Sequence, residues 1–395
     1  MSKVAPRSSA VTRRRVLIGF GLASAGAAVG AGLLALFAIL FVRLSWPHTE
    51  PLGNPVFGIN YDCNQAEYLI VEDPKLGPAG YVSDARPGRI DWCASTLTTL
   101  LRESQAKYVR ISVEWSEVEP AEGRYDFTLV DALLAAAARE NAHVMLGVGV
   151  KAQRHPEFYL PQWLLDEVHL SNDEVISDDP TVHDRALQMV DAVVAHTAAS
   201  PAVDSWQADN EPYIASSRAY SWTLSESFAA EEVSAIRAAD PYRRPVSINQ
   251  AQHFVFDRRW QDALAASDIL GASLYPFRNY ELLDHNFVVP ILEIGPLAPN
   301  YAEQARDAHK DGKQFWITEL QAEPWVDTDI RLISPENPSP NLPPANFRKN
   351  IDYARRSGAD RVYLWGSEWW LYEQQKFGDS TWMDLARDAI TAGNR

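Results

Sequence analysis

Cysteine is scarce in this chain of 395 residues: there are two, Cys63 and Cys93, and they form no C-x-x-C pair. Nor do the nine histidines form a pair at ligand spacing, so neither a structural metal nor a metal or organic cofactor is expected. Positive charge is also short. The formal net charge is −16, and residues 1–50 alone carry +5, which leaves −21 on the rest. A domain this acidic repels phosphate backbones, so no nucleic acid partner is expected, and neutral or cationic ligands fit better. No internal repeat or long low-complexity tract is present. With 46% hydrophobic and 22% charged residues, bulk disorder is excluded as well.

One stretch has no charge at all, the 27 residues from Val16 to Val42. As a helix it would span roughly 40 Å, more than a hydrocarbon core of about 30 Å. Five cations precede it and only Arg43 follows closely, which predicts a cytoplasmic N-terminus and an extracytoplasmic bulk. The expected order is a basic tail over 1–15, a transmembrane helix or uncleaved signal over 16–42, a linker over 43–54 and one domain over 55–395. Thr12-Arg13-Arg14-Arg15-Val16-Leu17 also reads as a twin-arginine export signal. No clear A-x-A cleavage site precedes Ser45-Trp46-Pro47, so a retained anchor is the leading expectation and export after cleavage the alternative. Outside the cytoplasm Cys63 and Cys93 can form a disulfide; two free thiols are the other reading.

Beyond the linker, short apolar runs alternate with helical stretches. The runs are 56–60, 108–113, 143–150, 203–208, 245–249, 269–274, 315–318 and 362–365. They are rich in Val, Ile and Leu, as strands buried on both faces are. Between them, 128–141 carries Leu129, Val130, Leu133, Leu134 and Ala137 on one stripe, and 181–199 carries Ala186, Met189, Val190 and Val193. Thr223-Leu224-Ser225-Glu226 has the form of a capping box opening the next helix. Eight such units in about 340 residues predict an α/β fold, a (β/α)₈ TIM barrel preceded by one transmembrane helix, with a doubly wound open sheet as the alternative. Active sites of these barrels lie where strands end and loops begin. Three long loops, 61–92, 151–180 and 321–345, are expected to shape a cleft there.

Two carboxylates stand at such ends. The fourth run closes in Asp209-Asn210-Glu211-Pro212 and the seventh in Ile317-Thr318-Glu319. Cleavage of a glycoside needs such a pair, one carboxyl to protonate the leaving oxygen and one opposite as base or nucleophile. The chain resembles the retaining glycoside hydrolases of clan A, with their family 5, 39 and 42 members. Asn210-Glu211-Pro212 is similar to that clan's acid/base motif and Glu319 to its nucleophile. Trp115-Ser116-Glu117-Val118-Glu119-Pro120, with Gly123, Tyr125-Asp126-Phe127 and Asp131, is similar to the loop after its second strand, and Pro161-Gln162-Trp163 to its third loop.

The resemblance implies that Arg110 holds the nucleophile, Asn210 meets a sugar 2-hydroxyl, Tyr275 orients Glu319 and Trp365 lies under the reacting sugar. Trp163 and Trp325, with Trp369 and Trp370, are candidates to line subsites, since sugar C–H faces stack on aromatic rings. Glu323 is a rival nucleophile, one short turn beyond Glu319. The implied partner is a carbohydrate, cleaved at a β-linkage, with a membrane contacted through 16–42. A non-catalytic carbohydrate-binding barrel, or a transglycosidase using the same residues, would share these features. A metal-dependent barrel hydrolase would want His-x-His after the first strand, where the chain reads Gly58-Ile59-Asn60-Tyr61-Asp62. The family 5 pattern is not complete: no His follows the third strand at the usual place, where Lys151-Ala152-Gln153-Arg154-His155 stands.

Overall fold

The computed structural model describes residues 29–38, 49–71, 87–154, 157–214, 221–251, 259–282, 285–290, 300–326 and 329–394. Ten strands follow in chain order: β1 (Val56–Asn60), β2 (Tyr108–Ser112), β3 (His143–Val148), β4 (Val203–Ala208), β5 (Val246–Ala251), β6 (Ile269–Leu274), β7 (Phe277–Leu282), β8 (His285–Pro290), β9 (Gln314–Gln321) and β10 (Arg361–Trp365). Eight of them, all parallel, close a barrel in the order β1-β2-β3-β4-β5-β6-β9-β10 and back to β1. This is the TIM barrel, and the open-sheet alternative falls with the closure of β1 on β10. The remaining two form an antiparallel hairpin inserted after β6. The seventh and eighth barrel strands are therefore β9 and β10.

Only residues 29–38 of the apolar N-terminal segment lie within the described residues. They form one helix, with Val29, Leu33, Leu34 and Phe37 exposed. No helix among the described residues is long and apolar enough to cross a membrane. The basic tail and the remainder of the 16–42 call lie outside the described residues.

The outer helices form where apolar stripes permit. Helix Thr128–Arg139 buries Val130, Leu133, Leu134, Ala136 and Ala137 against the sheet, and Pro180–Thr197 buries Ala186, Met189, Val190 and Val193. Burying one such Leu or Val stabilises by about 1.5–3 kcal/mol, so a Leu133→Ala cavity would be felt throughout. The helix Glu226–Ala239 is capped by Ser225, whose hydroxyl accepts from the Phe228 N–H, not by Thr223. Thr223 is committed elsewhere, its N–H and C=O pairing with Glu174 and Ile176. The first long loop contains a helix, Cys63–Ile70, started by Asp62, whose carboxylate accepts from the Gln65 N–H. A further helix, Ser367–Phe377, follows β10. Cys63 and Cys93 are joined as a disulfide, Cα–Cα 5.6 Å, tying Cys63–Ile70 to Arg89–Ser104.

Inside the barrel the lining changes character along the axis. Near the strand starts, Tyr108, Met145, Ile269, Trp316 and Tyr363 pack together. The Arg361 guanidinium lies 4.1 Å from the Tyr108 ring centre and 4.0 Å from that of Trp316. Nearer the strand ends the lining is polar: Asn60, Arg110, Gln207, Asn249 and Glu319, all buried. Buried polar groups persist only when bonded to one another, so this tier is organised as a network.

Candidate active site

Arg110 is the centre of that network. It is the middle residue of β2, not its last, and reaches the mouth by the length of its side chain. Its Nε donates to Gln207 Oε1 at 2.7 Å, one terminal nitrogen to Asn60 Oδ1 and Glu319 Oε1, both at 2.9 Å, and the other to Asn210 Oδ1 at 2.7 Å. Four acceptors around one planar fork suit a guanidinium and not an ammonium. On the other side of Glu319, the Tyr275 hydroxyl donates to Oε2 at 2.8 Å. Asn60 is itself fixed, donating to the carbonyls of Thr318 and Leu364 at 3.0 and 3.3 Å.

Glu211 stands on a tight turn. Asp209 and Glu211 have φ of 51° and 47°, a left-handed conformation that costs an ordinary residue about 1–2 kcal/mol. The turn is held from two sides. The Glu211 N–H donates to Asn249 Oδ1 at 2.9 Å, while buried Lys151, just past β3, donates from Nζ to the carbonyls of Glu211 (2.9 Å) and Ile214 (3.0 Å). The Asp209 carboxylate caps the Lys151 N–H at 2.7 Å. Gly149, at φ 134°, is required here, because a Cβ on it would collide with that carboxylate. Lys151 also pairs with Glu157 at 2.8 Å.

Burial pushes the carboxyls of both Glu211 and Glu319 up from their ordinary range. The opposing forces differ. For Glu211 the main one is the Lys151 charge, with Ser273 as a hydrogen-bond donor and Arg110 more distant. For Glu319 it is Arg110 in direct contact, with Tyr275 also donating, while the charge of Glu211 pushes it further up. Burial also drives the Tyr275 phenol far above its usual value, so it stays a donor. Both buried carboxyls are thus pushed toward their protons; they differ in that Glu319 is in direct contact with two donors, Arg110 and Tyr275, while Lys151 acts on Glu211 by charge.

The aromatic candidates divide. Tyr275 packs edge-on against Trp325 at 4.6 Å and Trp365 at 6.5 Å, placing both beside Glu319. Trp163, which follows β3, packs onto the loop after β2: its Nε1 donates to the Glu119 carbonyl at 2.9 Å and its ring meets Trp115 edge-on. Trp369 and Trp370 are fully buried, against Trp382 and Phe347, and are core residues, not subsite walls. Their helix packs against the helices Cys63–Ile70, Arg89–Ser104 and Thr381–Gly393, which no periodicity argument had foreseen. Glu323, the rival nucleophile, is paired with Arg154 and has no bond to Arg110 or Tyr275, which hold Glu319.

Arg154 is the residue the sequence reading passed over. At φ 71° and almost fully buried, it bridges Glu323 and Glu368, the latter at 2.8 Å, and its guanidinium lies 4.0 Å from the Trp365 ring centre. Gly366, at φ 127°, lets the backbone pass, since a Cβ there would strike Glu323. Glu368 in turn accepts from the Asp62 N–H at 2.6 Å. Asp62 and Glu114 lie side by side here, both pushed up by burial. Lys151, Arg154, Asn249 and Glu368 all sit at or near strand ends, and that position is the signal that could have nominated them. Among the described residues no group of three or more His, Cys, Asp or Glu could hold a metal ion.

Comparison with known proteins agrees with this fold. Residues 92–260 match the family model Glyco_hydro_42, described as beta-galactosidase. No curated protein sequence matches. Among solved structures, the chain is similar to the GH5_18 protein of Streptomyces cattleya in complex with GlcNAc (TM-score 0.56, 11% identity, 87% of this chain and 81% of that one). It is also similar to a cold-adapted beta-galactosidase from a Rahnella species (TM-score 0.55, 14% identity, 89% and 58%). A third is an exo-beta-1,4-mannosidase from an Opitutaceae bacterium (TM-score 0.52, 16% identity, 86% and 60%). The chain thus spans most of the first and under two-thirds of the other two. Barrel, carboxylate pair and partial family match together make the chain similar to the glycosidases of clan A. Within that class, the sequence match is to family 42.

Proposed function

We propose that the chain cleaves a β-linked glycan by double displacement with net retention, Glu319 being the nucleophile and Glu211 the acid/base. The observation that carries this reading is the unequal setting of the two carboxyls, Glu319 between Arg110 and Tyr275 and Glu211 without a direct cationic contact to its carboxyl among the described residues. In the first step Glu319 attacks the anomeric carbon as the C–O bond breaks and Glu211 passes its proton to the leaving oxygen. In the second, the Glu211 carboxylate takes a proton from water, whose oxygen attacks the same carbon and displaces Glu319. With Asn210 Oδ1 taken by Arg110 and Asn249, its NH₂ is the group available to a sugar hydroxyl. The mechanism needs the two carboxyls about 5–5.5 Å apart, leaving no room for a water between them.

The test is a screen of the purified protein on aryl β-galactosides, β-mannosides and β-glucosides, with NMR detection of the first-formed anomer. Retention is expected. Glu319→Ala should abolish turnover of every substrate, whereas Glu211→Ala should spare those whose leaving group needs no proton. Inversion, or equal loss on activated and unactivated glycosides, refutes the assignment.

The same reading includes anchoring through residues 16–42, with the barrel outside the cytoplasm. The disulfide supports it, because such bonds persist in oxidising compartments. Protease added to spheroplasts should reach the barrel and spare residues 1–15. A soluble barrel with a new terminus near Ser45 would show cleavage instead.

A further inference from the structure

In a parallel barrel all strands start at one end, opposite the mouth that holds Glu211 and Glu319. The chain from the N-terminus enters the domain at that far end and is fastened there. The N–H groups of Glu50 and Gly53 donate to the carbonyls of Arg356 and Arg355, both at 2.7 Å, and the Glu50 carboxylate pairs with Arg306. If the membrane helix ends near Val42, the residues up to Thr49 reach roughly 25 Å even when fully extended. The anchor therefore holds the strand-start end near the bilayer.

That end differs in charge from the rest of the domain. The turns that lead into the eight barrel strands (49–55, 105–107, 139–142, 198–202, 240–245, 267–268, 310–313 and 355–360) hold eight Lys or Arg and six Asp or Glu. The remainder of the domain holds 22 and 46. Moreover, several of the carboxylates here are paired with cations within the protein: Glu140 with Arg102 at 2.7 Å, Asp268 with Arg237 at 2.8 Å and Asp240 with Arg244 at 3.1 Å, while Asp360 meets His309 at 3.0 Å and Asp311 is exposed. Lys107, Arg139, Arg243, Lys310 and Arg356 stand exposed beside those pairs. Two of the few large apolar side chains exposed on the barrel are at this end too, Tyr242 at 61% and Leu52 at 56%. An amphipathic ring beside cations is the composition that settles at a lipid headgroup layer.

We propose that the strand-start face of the barrel is a docking surface for anionic lipid headgroups, so that the protein rests on the bilayer with its catalytic mouth turned outward. The proposal builds on the anchoring reading but is separable from it. Orientation follows from where the linker is pinned. Contact follows from charge, which acts only within about 8 Å at physiological ionic strength and is therefore felt only if the face lies down. A mouth so directed takes saccharide chains from the extracytoplasmic space, not sugars carried on a lipid in the same leaflet.

The full chain is reconstituted into vesicles of phosphatidylcholine alone or with about 30% phosphatidylglycerol, and amide hydrogen exchange is followed by mass spectrometry. Slower exchange is expected over 105–107, 240–245 and 310–313 in the anionic vesicles only, reversed by 0.5 M NaCl, with the segments around Glu211 and Glu319 unchanged. Lys107→Glu, Arg243→Glu and Lys310→Glu together should remove the difference, with Tyr242→Ser weakening it and the thermal midpoint of both variants verifying the fold. Equal exchange in neutral and anionic vesicles overturns the proposal. Anchoring is read separately, as association with neutral vesicles that survives high salt. If that association is absent, the face should still bind anionic vesicles in a salt-sensitive way, and the triple variant should bind them at least tenfold more weakly, since each basic residue near such a surface contributes about fivefold. Failure of that binding refutes the proposal as well.

Discussion

Replacing Arg110 with Met tests the central claim about the site, because a single side chain serves Glu319, Asn210, Asn60 and Gln207. Methionine fills much of the volume and supplies no donor. The variant leaves a buried carboxylate without its cation and three amide oxygens short of a bond. Breaking a buried ion pair from one side costs about 3–5 kcal/mol. At roughly 2 °C per kcal/mol for a domain of this size, the thermal midpoint should fall by about 6–10 °C at neutral pH.

The fall should depend on pH in a definite sense. Arg110 is the main charge holding the Glu319 carboxyl down against burial, so its loss raises that carboxyl further. A carboxyl whose folded pKa lies above its unfolded value stabilises fully below the unfolded pKa and loses that contribution as pH rises through the folded one. Arg110→Met should therefore lie closest to the parent near pH 4–5 and fall away above. The acid limb of kcat/KM should move upward, because the nucleophile must be ionised. Arg110→Met combined with Glu319→Gln removes the unpaired charge and should recover stability but not activity. Differential scanning calorimetry from pH 4 to 9 and a pH–rate profile read both effects. A double variant no more stable than Arg110→Met, or an unmoved acid limb, refutes the reasoning.

Three further outcomes follow from the same geometry. Lys151→Gln should lower kcat and shift the alkaline limb upward, since Lys151 is the strongest charge holding the Glu211 carboxyl down; loss of rate with the limb unmoved contradicts this. Behind the turn, the Asp209 and Glu232 carboxyls meet, with the Val150 N–H as a further donor, and burial raises both, so a proton shared between them is expected. Glu232→Gln should accordingly be nearly neutral in stability and activity, whereas Glu232→Ala should cost about 1–3 kcal/mol by leaving Asp209 bare; equal effects would show that no proton is shared. Finally, burial pushes Glu368 up to about 7 from 4.5, and Asp62, Glu114, Glu117 and Glu232 upward as well. Glu368 alone is worth roughly 3 kcal/mol, present below pH 4.5 and lost as pH rises through 7, so the protein should melt higher at pH 5 than at pH 9, and a rising midpoint over that range would refute the argument.

Much of the barrel was legible because parallel strands covered on both faces must be apolar throughout. Val203–Ala208 and Ile269–Leu274 coincide with their runs for that reason. The hairpin 277–290 and the helix Ser367–Phe377 were not, since neither follows the strand–helix alternation. The helix is also buried, through Glu368, Trp369, Trp370 and Glu373, so it lacks a polar stripe to announce its period. The capping signal at Thr223 misled because a side chain that could cap is not required to, and the bridge to Val175 had already committed its backbone. Net charge gives no placement either: within a domain of −21, Asp62, Glu67, Glu114, Glu232 and Glu368 are buried.

The site shows where strand position stops being informative. Glu211 follows β4, Glu319 lies near the end of β9 and both are buried, and on those grounds their roles could be exchanged. What separates them lies on other strands. The alternation of β2 turns Arg110 inward, and its length carries a fixed cation up to Glu319 and Asn210. Lysine at the same place would deliver the charge but not four directed bonds, and Asn60, Gln207 and Asn210 would lose their common partner. Lys151 supplies the other half, bracing the strained turn of Glu211 through carbonyls while its charge stays off the carboxyl oxygens. On the proposed roles, the acid is positioned without an ion pair among the described residues, and the nucleophile is paired with Arg110 while Arg154 is occupied by Glu323 and Glu368. That division depends on which donors converge at the mouth, and convergence is a property of the closed barrel that no linear motif contains.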